Sequence, residues 1–455
     1  MKARNKNSQR IYRNAIAKFD QDLIETYYKR GKTYLKLKDY IAAIKDFDTV
    51  LQLNPQDTRV YLIRGYTYGE LKNYQQEIAD YSEAIRLAPQ LAKAYRSRGF
   101  AYGILHNYEQ AIADFEQAIK LSPNYTQAYY NRGCIYKGLL ELPKAIADFS
   151  RVIELNADNV AAYYHRACIY NLQEKYHQAI ADFSAVIRLN PDHAKAYSGR
   201  GKANLKLKYH RNAIIDFSQA ILLNPQDLQS IYNQGKAYQK LKDYRNALDS
   251  YNEVIHLQPR LASVYQDRAH IYGKLKDYPQ AITDYSTAID LNPENAEAYY
   301  SRGSAYSLLH EYQQAIIDYS RVISLDREHG NAYYNRGVTY AYLEQYQQAI
   351  TDYNQSIAIN PQSAPSYNNR GNAFKELKEY RQAISDYTQA IFFDPDFSDA
   401  YYNRGLVYHS LQKPQKALKD LALAADLFHK QGKVNLAKQT RNKIQKLFGN
   451  HQVFR

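Results

Sequence analysis

Residues 330–363 read GNAYYNRGVTYAYLEQYQQAITDYNQSIAINPQS, and this stretch decides the fold. Its apolar and small residues (Tyr333, Gly337 and Tyr340, then Tyr346, Ala349, Ile350 and Tyr353) return every third or fourth position in two runs. That spacing marks one face of a helix, so the stretch predicts two amphipathic helices. Asn360-Pro361 ends the second, because proline has no N–H to continue the helical ladder.

The same pattern recurs along the chain. Gly31, Gly65, Gly99, Gly133, Gly201, Gly235, Gly303, Gly337, Gly371 and Gly405 stand at 34-residue intervals, with Ala167 and Ala269 at the two remaining points. Twelve repeats follow one another without insertion or deletion. With this small residue numbered position 8, Tyr stands at position 4 in eleven repeats, Ile231 being the exception, and at position 11 in ten. Position 20 is Ala in eleven repeats, with Glu77 the outlier; position 24 is always Phe, Tyr or Leu, and position 32 is Pro in nine. Small side chains at 8 and 20 let two helices cross closely, and the rings at 4, 11, 17 and 24 fill the space around the crossing. The other four prolines (Pro143, Pro279, Pro365 and Pro414) fall in expected first helical turns, where a missing N–H costs little.

Arg occupies position 7 and Asp position 23 in eleven repeats each, and the repeat with Gln234 in place of the Arg is also the one with Ser250 in place of the Asp. Joint loss predicts a pair, Arg98 with Asp114 and Arg336 with Asp352 for example, that joins the two helices and sets their registry more than it adds net stability.

A helix-turn-helix of this length, with Gly or Ala at 8, Tyr at 11, Ala at 20, Phe or Tyr at 24 and Pro at 32, resembles the tetratricopeptide repeat. Tyr333-Tyr334-Asn335-Arg336-Gly337 and Tyr346-Gln347-Gln348-Ala349-Ile350 are most similar to bacterial members; Tyr at position 4 replaces the family's frequent Trp. The resemblance implies an all-α fold, a right-handed superhelical α-solenoid over residues 24–431, with the first helices lining a concave groove. Residues 1–23 are expected to form a basic segment with a half-repeat capping helix, since residues 12–19 echo Arg211-Asn212-Ala213-Ile214; residues 432–455 are expected to form a basic capping helix and tail.

The formal charge of +14 belongs to these ends. Residues 1–19 carry six Lys or Arg and no acid, residues 427–455 carry seven and no acid, and the stretch between holds 47 basic against 46 acidic groups. The overall charge is therefore no nucleic-acid footprint of the repeats. Two cysteines fit a reducing compartment, no run approaches the roughly 18 apolar residues of a membrane span, and the first residues lack a signal peptide's apolar core; the expected location is cytoplasmic.

No Gly-rich phosphate loop, Gly-x-Ser-x-Gly or His-Glu-x-x-His motif occurs, so no enzyme, catalytic residue or cofactor is expected. Cys134 and Cys168 at position 9, with His165, supply three soft side chains but no fourth ligand, so no metal is expected.

Of the 48 tyrosines, 36 stand at positions 4, 11, 17 and 24 as packing residues. Seven stand at position 5 (Tyr28, Tyr130, Tyr164, Tyr232, Tyr300, Tyr334 and Tyr402), which the resemblance turns toward the groove together with positions 2, 9, 12 and 13. In repeats two to five these positions are aromatic and apolar (Leu62, Tyr66, Phe100, Ile104, Tyr130, Tyr164 and Leu172), with Lys93 and Arg96 beside them. Repeats six to eight supply Lys195, Lys202, Lys206, Lys236, Lys240 and Lys274 with no Asp or Glu at the same positions. The expected function is a protein-interaction scaffold that binds an extended or helical partner segment, its acidic residues against the lysines. The family's lysine and asparagine set for gripping a chaperone C-terminus is not assembled. The alternative is single-stranded RNA or other nucleic acid on the lysine-lined groove, disfavoured because basic and aromatic residues are segregated.

Overall fold

The computed structural model describes residues 2–449, with the side chains of residues 10, 11 and 13–449. Among the described residues the regular structure is all helical: twenty-five helices run from Lys2–Lys36 to Val434–Phe448. The tenth repeat folds as Gly330–Tyr342 and Tyr346–Ile359, the two helices that its sequence predicts. The chain divides into two compact units, Met1–Ser230 and Ile231–Arg455. Each is an α-solenoid, a run of helix pairs in which every pair packs on the next.

The alanines at position 20, from Ala43 to Ala417, are buried, and beside them lie the position 24 rings, with Phe47, Phe217, Tyr251 and Tyr387 fully buried. Position 8 must stay small because of those rings: a Cβ on Gly201 would lie 2.7 Å from Phe217 Cε1.

The turn inside each repeat carries a feature that no glycine announces. Position 15 has left-handed backbone in all twelve repeats, from φ +57° at Gln412 to +64° at Lys276, and none of the twelve is Gly. The turn closes with backbone bonds such as Asp277 N to Tyr272 O at 2.9 Å, the pattern that satisfies the last carbonyls of a helix. Between repeats, an Asn or Asp at position 31 accepts from the N–H two residues on, as Asn190 does from Asp192 N at 3.1 Å. That local bond gives the Asn-Pro junctions their asparagine.

All eleven Arg/Asp repeats form the same interaction. Arg98 donates from Nε to Asp114 Oδ2 at 2.9 Å and from Nη2 to Oδ1 at 2.7 Å; Arg336 meets Asp352 at 2.8 and 2.7 Å. The third nitrogen reaches the second helix of the preceding repeat, Arg98 Nη1 donating to Ser82 Oγ at 3.0 Å and Arg336 Nη1 to Ser320 Oγ at 2.9 Å. Tyr333 and Tyr340, at positions 4 and 11, flank the Arg336 guanidinium with centroids 5.7 and 6.0 Å away. One side chain thus binds three helices. The aspartates are buried, and burial pushes the carboxyls of Asp80, Asp148 and Asp386 up while the facing arginine opposes it. In repeat seven Ser250 Oγ lies 3.5 Å from Gln234 Oε1, a neutral contact in the same place.

The boundary expected between residues 23 and 24 falls inside a helix. Residues 2–36 form one continuous helix, not a separate half-repeat cap followed by a first helix. Asp20-Gln21-Asp22 holds no Gly or Pro to break it, and Ile11, Ile16 and Phe19 stay exposed. At the other end Val434–Phe448 packs on Pro414–Lys430 and buries Ala437 and Ile444, whereas Val434 is exposed. Residues 450–455 of the expected tail lie outside the described residues.

Two predictions follow from this packing. Arg336→Ala leaves Asp352 buried without its partner and is expected to cost about 3–5 kcal/mol by urea denaturation, whereas Arg336→Gln with Asp352→Ser, the neutral pair of repeat seven, is expected to cost less than half as much. Lys276→Gly relieves a left-handed lysine and is expected to add about 0.5–1 kcal/mol in the same assay.

Candidate functional site

The first helices turn positions 2, 5, 9, 12 and 13 to one side, and in each unit open pockets lie there. In the first unit Phe100, Gly103 and Ile104 face Tyr130, Cys134 and Ile135 around an open pocket of about 250 Å³. Tyr66, Phe100, Ile104 and Leu172 are exposed, so this part of the groove presents apolar surface.

The position 5 tyrosines form the floor. Six pack on the position 24 ring of their own repeat, with centroids 5.9 Å apart for Tyr130 and Phe149, 6.0 Å for Tyr164 and Phe183, and 6.1 Å for Tyr334 and Tyr353, while Tyr402 packs on Phe428, at position 31, at 6.4 Å. The hydroxyls of Tyr130, Tyr232, Tyr300 and Tyr334 bond to position 6 of the next repeat. Tyr232 Oη donates to Asp267 Oδ2 at 2.6 Å, and Asn335 Nδ2 and Asn369 Nδ2 donate to the hydroxyls of Tyr300 and Tyr334 at 2.9 and 3.0 Å. The position 5 tyrosines, which the resemblance turns toward the groove, are half-buried, and four of them are tied to the next repeat. The signal was the asparagine at position 6, which pairs with the tyrosine 35 residues earlier.

His165 replaces that asparagine in repeat five. Its Nδ1 lies 3.0 Å from Lys137 Nζ and its Nε2 3.1 Å from Tyr130 Oη. An ammonium only donates, so Nδ1 accepts and the proton sits on Nε2. Burial, reinforced by Lys137, lowers the His165 pKa to about 4. With both nitrogens engaged, His165 is not aimed at Cys134 and Cys168 as a ligand, and burial pushes both thiols up. Among the described residues no group of three or more His, Cys, Asp or Glu is arranged to hold a metal ion.

Three of the six candidate lysines, Lys195, Lys202 and Lys206, are exposed along Ala194–Lys206 in the first unit. In the second unit Lys240 and Lys274 are exposed, while Lys236 is half-buried. Lys236 Nζ sits 4.5 Å from the Tyr232 ring centroid and 3.8 Å from Asp267 Oδ2. The expectation of lysines without a compensating acid fails there, because Asp267 stands at position 6, just outside the positions read as groove-lining.

Repeat six interrupts the floor. Position 5 is Ser198 and position 6 is Gly199, and an added Cβ on Gly199 would lie 2.4 Å from Phe183 Cζ. With no large side chain at either place, a pocket of about 380 Å³ opens between Tyr164, Cys168, Asn171 and Phe183 on one side and Lys195 and Lys202 on the other. Asn171 Nδ2 donates to Gly199 O at 3.1 Å, pinning the wall. Asp227 also lines the pocket, and its carboxylate accepts from Ser230 Oγ at 2.6 Å.

Glu77 was visible in the sequence only as an outlier. Its carboxylate is buried beside Gly69, where an added Cβ would lie 2.8 Å from Oε2. Arg96 replaces the usual Tyr at position 5 of the next repeat, and its Nε is buried without a partner. Burial pushes Glu77 up to about 7, Arg96 opposing and Glu70 adding to the rise. Glu at 20 and Arg at the following position 5 depart from the usual Ala and Tyr together, which was the available signal.

Among the described residues no helix is long and apolar enough to cross a membrane. Models described as tetratricopeptide repeat match residues 24–57, 92–193 and 296–363, residues 58–91, 194–261 and 398–428, and residues 352–385; a model described as TPR repeat matches residues 270–310 and 371–412. No curated protein matches the chain. Among solved structures, the crystal structure of MamA is 25% identical over 35% of this chain and 94% of its own, with a TM-score of 0.35. YrrB, described as a TPR protein with an unusual peptide-binding site, is 23% identical over 43% of this chain and 99% of its own, with a TM-score of 0.37. Yeast Tom70 is 15% identical over 93% of this chain and 96% of its own, with a TM-score of 0.36.

A folded-state pKa above the ordinary carboxylate value of 4.5 means that the stability tied to Glu77 is whole below that value and is lost as pH rises through about 7. Glu77→Gln keeps the shape and removes the titration. It is expected to stabilise the protein at about pH 8 relative to about pH 5 by up to about 3 kcal/mol against wild type, measured by urea denaturation at both pH values.

Proposed function

The chain belongs to the tetratricopeptide repeat family, a family of protein-interaction scaffolds, and we propose that it binds extended or helical segments of a partner protein in the grooves of its two units, without turnover. The observation that carries this reading is the alternation of exposed groove chemistry along the first unit. Apolar Tyr66, Phe100, Ile104 and Leu172 precede Lys195, Lys202 and Lys206, on a floor of tied tyrosines. A fixed floor supports peptide binding because little side-chain order is lost when the ligand arrives. Acidic partner residues fit the lysines of either unit.

Nucleic acid is the weaker alternative. The arginines at position 7 are consumed by their aspartates and offer no fork to phosphate, and the position 5 tyrosines are half-buried, as Tyr334 is against Tyr353, which leaves less ring surface for a base to stack on. Free Cys134 and Cys168 fit a reducing, cytoplasmic compartment.

Affinity capture from native extract before and after nuclease treatment separates the two readings: protein partners are expected to persist. Lys195→Glu, Lys202→Glu and Lys206→Glu together are expected to reduce capture at least tenfold with helicity unchanged by circular dichroism. Unchanged capture removes the first-unit lysines from the binding surface.

A further inference from the structure

The two pockets of the first unit differ in chemistry, and their separation is fixed by the repeat. The first, between Ala92–Ile104 and Thr126–Gly138, is walled by Phe100, Gly103, Ile104, Phe115, Cys134 and Ile135. Its lining holds no charged side chain, and Gly103 opens it, since its Cβ would meet Ile135 Cδ1 at 3.2 Å. The second, between Val160–Leu172 and Ala194–Lys206, exists because Ser198 and Gly199 replace the floor residues found elsewhere. Its charged lining is Lys195, Lys202 and Asp227. Two ammonium groups against one carboxylate leave a single positive charge, which matches a monoanion better than a dianionic phosphate. Neither lysine makes an ion pair at 4.0 Å or less with a described acid, so both are available to an incoming carboxylate.

From the first pocket to the second is two repeats, and the first helices that wall each pocket, Ala92–Ile104 with Thr126–Gly138 and Val160–Leu172 with Ala194–Lys206, pack directly on each other. Packed helices lie about 8–10 Å apart, so the step is about 16–20 Å. An extended chain advances about 3.3 Å per residue and covers that distance in about five or six residues.

Resting on the groove-binding reading, we propose that the first unit recognises an extended protein segment through two anchors: an apolar side chain in the Phe100–Ile104–Ile135 pocket, and an Asp or Glu carboxylate between Lys195 and Lys202, about five or six residues away. The segment between them crosses the tyrosine floor of repeats four and five, with its backbone exposed to the groove. Specificity then comes from spacing as much as from composition, because a shorter interval strands one anchor outside its pocket.

Random dodecapeptides displayed on phage and selected on the full chain test this. Selection is expected to enrich peptides with an apolar residue and an acidic residue about five or six apart. On the Lys195→Gln/Lys202→Gln protein the acidic preference is expected to fall about tenfold while the apolar one stays, and Ile104→Asp is expected to do the reverse. Circular dichroism on each variant establishes that it is folded. Enrichment of apolar residues without an acid, or of both without a fixed interval, overturns the two-anchor inference and leaves the groove reading intact. No enrichment of any sequence on the wild-type chain overturns both.

Discussion

The guanidinium at position 7 is the interaction on which the remainder depends. It forks onto a buried aspartate of its own repeat, extends its third nitrogen to the preceding repeat, and is flanked by tyrosines at positions 4 and 11. Two buried charges gain little net stability over apolar residues of the same size, because desolvation offsets their attraction. What they supply is geometry. A bidentate fork accepts a narrow range of orientations, so each pair fixes how one helix pair sits within itself and against its neighbour. Small residues at 8 and 20 then allow the close crossing that the fork demands, and the position 24 ring occupies the volume left over.

This constraint shapes the groove. With the arginines turned to the helix crossing, the groove side is left to positions 2, 5, 9, 12 and 13, and its charge is set mainly by lysines. Six of the tyrosines at 5 rest on the position 24 rings, and the hydroxyls of Tyr130, Tyr232, Tyr300 and Tyr334 reach position 6 of the following repeat. In repeat six Ser198 and Gly199 remove a rung of this ladder, and a basic hollow opens there. Glu77 and Arg96 change another rung, replacing Ala and Tyr by two charged groups and making that repeat sensitive to pH.

Much of this was legible in residues 330–363. Periodicity gave two helices, and the joint loss of Arg and Asp at Gln234 and Ser250 identified the pair before any distance was known. The left-handed residue at position 15 was not legible, because the twelve repeats place Lys, His, Leu, Glu or Gln there and none uses the glycine that marks such a turn. The single helix Lys2–Lys36 also departed from expectation. Similarity of residues 12–19 to a second helix described their apolar face, but with no breaker at residues 20–22 the helix continued into the first repeat.

The sequence by itself determined the all-helical class, the twelvefold repeat, the Arg–Asp partnership and the chemical character of the groove positions, since each depends on spacing along one helix or on a pattern repeated many times. The tertiary structure decided which of those groove residues are free. Tyr232 and Lys236 are held by Asp267, His165 is held between Lys137 and Tyr130, and Lys195 and Lys202 stand open beside a pocket made by the absence of large side chains at positions 198 and 199. These outcomes depend on contacts between residues about one repeat apart, from side chains that belong to different helices. Periodicity places a residue on a face, and only the packing of the next repeat determines what that face meets.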